Sequence, residues 1–267
     1  AIDDRIDLLR QTNATLESIA QALFKSWFID FDPVRAKAEG REPEGMDAAT
    51  AALFPAEFEE SALGLIPKGW HVHSLDSLAT YLNGLALQKY PPESEDEFLP
   101  VIKIAQLRAG STVGADRASA RLKHEYVVHD GDVLFSWSGS LEVELWCGGP
   151  GALNQHLFKV TSDKVPKWFY YSATRHFLPV FREIAAHKAT TMGHIQRRHL
   201  SEARLAVPPH AVLQSLGSTI GPLVKRRVTG SLHARELCAL RDALLPRLIS
   251  GKLRLPKARE HLEEALA

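Results

Sequence analysis

From Ile2 onward apolar side chains recur at Ile2, Ile6, Leu9, Leu16, Ala20, Leu23 and Trp27, with Asn13 at the one polar step, so the spacing alternates four and three without a break. That is a heptad seam, and it predicts one long amphipathic helix. Asp32-Pro33 ends it, because proline has no amide to donate and disfavours helical geometry in the residue before it. The helix is expected to stop between Ile29 and Phe31. A lone amphipathic helix of this length is only marginally stable in water, so the seam needs a partner helix, from this chain or another. Asn13 sharpens the requirement: a polar residue in a seam costs stability but can fix register and strand number.

A second helical arm is legible at the other end. After Val207-Pro208-Pro209, residues Leu213, Leu216, Ile220 and Leu223 share one helical face, and Leu237, Leu240, Leu244 and Leu248 continue it beyond Gly230, which reads as an interruption. Pro246 and Gly251 place its end near Ser250. The expected pairing residues are Leu9, Asn13, Leu16 and Leu23 on the first arm and Leu237, Leu240 and Leu244 on the second.

Between the arms the texture changes. Residues 33–66, rich in Ala, Glu, Pro and Gly, read as a partly irregular connector, and a globular unit starts near Leu65. There, short apolar runs separated by turns predict strands: His71 to Leu75, Phe98 to Ile104, Tyr126 to Val128, Val133 to Trp137, Leu141 to Trp146 and Leu157 to Val160. His129-Asp130-Gly131-Asp132 is a turn, and Trp168 to Ala186 a helix split or kinked by Pro179. The reading is an α+β protein with boundaries at 1–31, 32–64, 65–210, 211–255 and 256–267.

Composition narrows the function classes. With 45% hydrophobic residues, a chain of 267 can hold one medium domain plus extended elements. No apolar run reaches the roughly 18 residues of a membrane span, and the N-terminal residues show no signal pattern. Cys147 and Cys238 lie far apart without metal-ligand spacing, which predicts buried free thiols and a cytoplasmic setting. The net charge of zero hides segregation: residues 1–60 carry net −7 and the remainder net +7. Within residues 175–204, Arg175, Arg182, Lys188, Arg197, Arg198 and Arg204 face only Glu183 and Glu202, a local field able to attract phosphate.

Bond-making chemistry is hard to find. His71 and His73 would share a strand face, but no third metal ligand lies nearby, so no metal site is expected. Glu142 and Glu144 also share a face and read as a strand's solvent side. There is no P-loop, no dinucleotide fingerprint, no Asn/Asp-Pro-Pro-Phe/Tyr methyltransferase motif, and Ser136, Ser138 and Ser140 do not form a nucleophile elbow. What the turns do carry is hydrogen-bonding side chains: Asn83 with Gln88, Lys89 and Tyr90; Ser136, Trp137 and Ser138; Asn154, Gln155 and His156; and Lys188, Thr190, Thr191, His194, Gln196, Arg197 and Arg198. Asn and Gln can read adenine edges, Arg and Lys guanine, and Ser or Thr either, so these are candidates for double-stranded DNA contact, with Arg197 and Arg198 mainly on phosphate.

The order of these motifs resembles the DNA-specificity subunit of Type I restriction-modification systems over essentially the whole length. Phe24 to Gly40 is similar to that family's central conserved region, and Leu65 to Trp70 to the entry of a target-recognition domain. Asp130 to Ser136 resembles its characteristic strand and Asn154-Gln155-His156 its Asn-Gln motif. Gly193, Gln196 and Leu200, followed by Val207-Pro208-Pro209, resemble the closing segment, and Leu240 to Lys252 the distal conserved helix. The resemblance implies a noncatalytic reader of one half of a bipartite target: one mixed α/β target-recognition domain flanked by two long helices that pair as an antiparallel coiled-coil spacer. It implies docking to methyltransferase subunits, which bind S-adenosylmethionine, and to a restriction subunit, which uses ATP and Mg; this chain needs no cofactor of its own. The family usually carries two recognition domains, whereas this chain resembles the C-terminal half alone, so a homodimer or a second recognition half is implied. A module that assembles with the methyltransferase without reading sequence is the other reading.

Overall fold

A computed structural model describes residues 2–187 and 193–251. Helix α1 runs Ile2–Phe28, as its seam requires, with Ile6, Ala20, Phe24, Trp27 and Phe28 buried. Phe31 then takes a left-handed conformation, φ 58°, and α2 (Asp32–Ala38) leaves with Pro33 in its first turn. A non-glycine residue there costs about 1–2 kcal/mol, and packing holds it: the Phe31 ring sits edge-on to Trp70 at 5.9 Å and against Phe58 at 6.4 Å. The connector is more regular than its composition predicts. It holds α3 (Ala48–Ala52), capped by Asp47 accepting from the Thr50 amide, and a hairpin of β1 (Phe58–Ser61) and β2 (Gly64–Pro67).

The central domain follows with β3 (His71–Ser74), α4 (Leu75–Leu78), β4 (Thr80–Asn83), a 3-10 turn at Leu87–Lys89, β5 (Leu99–Ile102), α5 (Ile104–Ala109) and β6 (Arg117–Ala118). Then come β7 (Val127–Val128), β8 (Val133–Ser136), β9 (Val143–Leu145), β10 (Gly151–Leu153) and β11 (Leu157–Thr161). Each predicted strand run overlaps one of these. Gly131, at φ 84°, makes the predicted turn, which joins two sheets rather than a hairpin. One sheet is ordered β6-β5-β10-β7, with β5 and β10 parallel; the other is the antiparallel β4-β11-β8-β9. The predicted helix around Pro179 is two helices, α6 (Lys167–His176) and α7 (Leu178–His187). After α8 (Arg197–Glu202), β12 (Arg204–Val207) pairs antiparallel with β3 and closes the domain.

Helix α9 is continuous from His210 to Ile249 through both Pro222 and Gly230, so Gly230 does not interrupt it. It runs antiparallel to α1: Glu17 meets Arg227 at 3.4 Å, Asn13 donates to the Ser231 hydroxyl at 3.1 Å, and Asp3 meets Arg241 at 2.9 Å. Of the expected pairing residues, Leu237 and Leu244 are buried, while Leu9, Asn13, Leu16, Leu23 and Leu240 are partly so.

The main core does not begin at Leu65. It joins Ala20, Phe24, Trp27 and Phe28 of α1 with Phe54, Trp70, Trp168 and Phe169, and reaches Val224 on α9. Phe28 is the hub, with ring centroids 5.2 Å from Phe169, 5.7 Å from Trp70 and 5.8 Å from Trp168. Such aromatic pairs add about 0.5–1.5 kcal/mol each beyond the area they bury. The Phe24 to Phe31 stretch is therefore where the arm is sunk into the domain.

Candidate nucleic-acid interface

The register of the antiparallel sheet gathers the candidate loops. Asn83 on β4 lies opposite Phe158 on β11, and Leu157 lies opposite Ser136 at the end of β8. The chain leaving β4, leaving β8 and entering β11 therefore emerges at one end of one sheet, because strand pairing aligns those termini.

Trp137 is the centre of this cluster. Its indole Nε1 donates to Asn83 Oδ1 at 2.9 Å, and its ring lies 5.9 Å from His156, 6.0 Å from Phe158 and, edge-on, 6.3 Å from His194. The Ser138 hydroxyl is 3.0 Å from His156 Nδ1, and Gln155 Nε2 is 3.4 Å from His156 Nε2. The segment before α8 is bound to the same loop: Ile195 N–H donates to Trp137 O at 3.0 Å and Gly139 N–H to Gly193 O at 2.9 Å. Arg197 lies with its guanidinium 5.5 Å from the centre of the Phe158 ring and donates to Tyr81 O at 3.2 Å. Asn83, Trp137, Ser138, Gln155, His156, His194 and Arg197 thus converge, although far apart in the chain.

Other candidates are used internally. Ser136 is fully buried; its hydroxyl donates to Ser140 O at 2.6 Å and accepts from the Glu142 amide at 2.7 Å, closing the turn that carries Trp137. It is a scaffold residue, not a surface one. Ser138 is buried too, its hydroxyl engaged by His156, and so is Asn154, its Oδ1 accepting from the His156 amide at 3.2 Å. Its backbone leaves no room beside Gly84, where a Cβ would stand 2.2 Å from Asn154 O. In the Asn-Gln pair, therefore, Asn154 shapes the turn and Gln155 is left partly exposed. Gln196 caps α8, and Arg198 is exposed. Gln88, Lys89 and Tyr90 are exposed around the 3-10 turn, and no described side-chain hydrogen bond ties them to the Trp137 cluster. Lys188, Thr190 and Thr191 lie outside the described residues.

Three expectations need correction. Glu142 and Glu144 are not a solvent face: Glu142 pairs with Arg182 at 2.9 Å, and Glu144 with Arg175 at 3.1 Å and Arg227 at 2.5 Å. For the same reason the basic field of residues 175–204 is smaller than the sequence suggests, since Arg175 and Arg182 are neutralised by partners on other elements. The two cysteines are free, and half-buried rather than buried. Burial, with Asp130 adding repulsion, pushes the Cys147 thiol pKa up.

The feature that pattern reading missed is Glu17. It sits beside the seam residue Leu16, is buried, and accepts from Arg175 Nε at 2.8 Å and the Tyr171 hydroxyl at 2.9 Å. Burial opposes charge on Arg227, and Tyr171, Glu144 and Glu17 together more than offset it, so its pKa lies above the ordinary value. Nothing in local spacing marks Glu17, because its partners come from α6 and α9.

Among the described residues no group of three His, Cys, Asp or Glu could hold a metal ion, and no helix is long and apolar enough to cross a membrane.

No protein-family model matches the chain. It is 26% identical to the specificity subunit of the Type I restriction enzyme HindI from Haemophilus influenzae, over 94% of this chain and 65% of that protein. It is likewise 26% identical to the MjaIX specificity subunit from Methanocaldococcus jannaschii, over 95% of this chain and 56% of that protein. The crystal structure of a Type I restriction-modification S subunit from M. genitalium overlaps 93% of this chain and 59% of its own, with 12% identity and a TM-score of 0.46. The chain thus spans between about half and two thirds of these proteins' lengths. The resemblance carried by the motifs is borne out in sequence: over most of its length the chain is a relative of the specificity subunits of Type I restriction enzymes.

Proposed function

We propose that this chain is a noncatalytic DNA-recognition subunit of a Type I restriction-modification complex, reading one half of a bipartite target. The observation that carries the reading is the convergence of Asn83, Trp137, Ser138, Gln155, His156, His194 and Arg197 at one sheet end, in a chain related to specificity subunits along 94% of its length. Gln155, His156 and His194, each partly exposed, supply amide and imidazole groups for base edges and Arg197 a guanidinium for phosphate, while the buried Ser138 hydroxyl holds His156 in place. Lys188, Thr190 and Thr191, and the exposed Gln88, Lys89 and Tyr90, are kept as further proposed DNA contacts on the grounds of their residue types alone.

In this reading residues 65–210 are the recognition domain, and α1 with α9 is an antiparallel coiled-coil spacer that docks methyltransferase subunits. S-adenosylmethionine belongs to those subunits, and ATP and Mg to the restriction subunit. The acidic first sixty residues suit a protein partner better than DNA. A second copy or a second recognition half supplies the other part of the target, and the complex works in the cytoplasm.

Co-expression with the cognate methyltransferase, followed by mapping of methylated adenines, tests this. A split palindrome is expected for a homodimer and an asymmetric split site for a heteromeric partner. No new methylation, or binding that scrambled duplex competes away equally, overturns the reading. Arg198→Ala is expected to lower the salt slope of binding by about one and weaken all duplexes alike.

A further inference from the structure

Four buried or half-buried charges meet where the arms join the domain. Glu17 of α1 and Glu144 of β9 each bridge Arg175 of α6 and Arg227 of α9, at 2.8 and 3.4 Å for Glu17 and 3.1 and 2.5 Å for Glu144. The Tyr171 hydroxyl donates to Glu17 and accepts from Arg227 Nη1 at 2.8 Å, and Arg175 also donates to Val143 O at 2.7 Å. The two carboxylates balance the two guanidiniums. An ion cluster taken out of water contributes little to net stability compared with apolar packing, whereas it tolerates few geometries. A cluster on four elements at once is therefore better suited to fixing an angle than to holding the fold.

The quartet touches the β8–β9 hairpin through Glu144. Glu144 pairs with Leu134 across β8 and β9, and the same two strands run into the Ser136-centred turn that presents Trp137 and Ser138. From the other side, Glu17 and Arg227 belong to the two arms. We propose that this quartet is the joint that sets the orientation of the reader hairpin relative to the helical arms, with Glu144 as the positioning residue. The inference rests on the proposed function, in which methyltransferase bound to the arms must meet a base chosen by the hairpin.

Glu144→Gln keeps the shape and removes the charge. In the full chain co-expressed with its methyltransferase, E144Q is expected to keep the preference for the mapped target over scrambled duplex within about twofold, while methylation of that target falls at least about tenfold through misalignment. Asp163→Asn, an exposed carboxylate just past the far end of β11 and outside the quartet, is expected to change neither. Wild-type methylation by E144Q, or binding and methylation falling in equal proportion, overturns the joint. Should E144Q fail to fold, Arg175→Lys, which keeps the charge and loses the fork, is read in the same way. Should wild type itself prefer no sequence, the proposed function fails; the joint is then read by hydrogen exchange, where E144Q must deprotect β9 and the Arg227 region of α9 together, and deprotection of β9 alone overturns it.

Discussion

Asn13 lies against Gly230: a Cβ built on that glycine would stand 2.4 Å from Asn13 Oδ1. The glycine that looked like a break in the second arm is a recess for the polar residue of the first, and the next residue, Ser231, takes the Asn13 amide hydrogen bond. Gly230→Ala should gain helix propensity of up to about 1 kcal/mol but force Asn13 off Ser231, for an expected net loss of about 1 kcal/mol. Asn13→Ala/Gly230→Ala should recover most of that loss, and a double-mutant cycle by urea unfolding measures the coupling.

The Trp137 indole has its hydrogen bond to Asn83 in a half-buried setting. Asn83→Leu leaves that donor without its partner and should cost about 1–2 kcal/mol. The change in tryptophan emission on denaturant unfolding, compared with wild type, checks it. Trp137→Phe in the Asn83→Leu background should cost less than either change made alone would suggest.

Phe31 combines a left-handed backbone with a buried ring. Both Phe31→Ala and Phe31→Gly lose the contacts to Trp70 and Phe58. The glycine variant alone relieves the backbone, and should be more stable than the alanine variant by about 1 kcal/mol. Thermal unfolding of the two side by side reads the difference.

Burial lowers the pKa of His176 from its ordinary value, and Lys25 adds to the shift against the opposing pull of Asp30. The folded state therefore holds this imidazole neutral where the unfolded chain would protonate it. Stability from this residue is present above the unfolded value of 6.5 and is lost as pH falls through that value toward the lower folded one. His176→Gln should flatten the acid side of the stability profile in that window, measured as the urea midpoint against pH.

The two arms, the stop at Asp32-Pro33, the strand runs and the loop residues follow from the sequence because each rests on local rules: heptad period, proline geometry and alternation between turns. So does the motif order that marks the relationship to specificity subunits. Whether Gly230 breaks a helix or admits a neighbour does not, since the answer is Asn13, more than two hundred residues away. Nor does the division of Asn154 and Ser136 from Gln155 and Trp137, because burial is decided by which strand end each loop shares. Glu17 is the extreme instance: a charged residue beside a seam reads as solvent-facing until α6 and α9 bring Arg175 and Arg227 to it. Local patterning determined the elements and their approximate ends; only long-range packing decided which polar side chains face one another and which remain free to meet a partner.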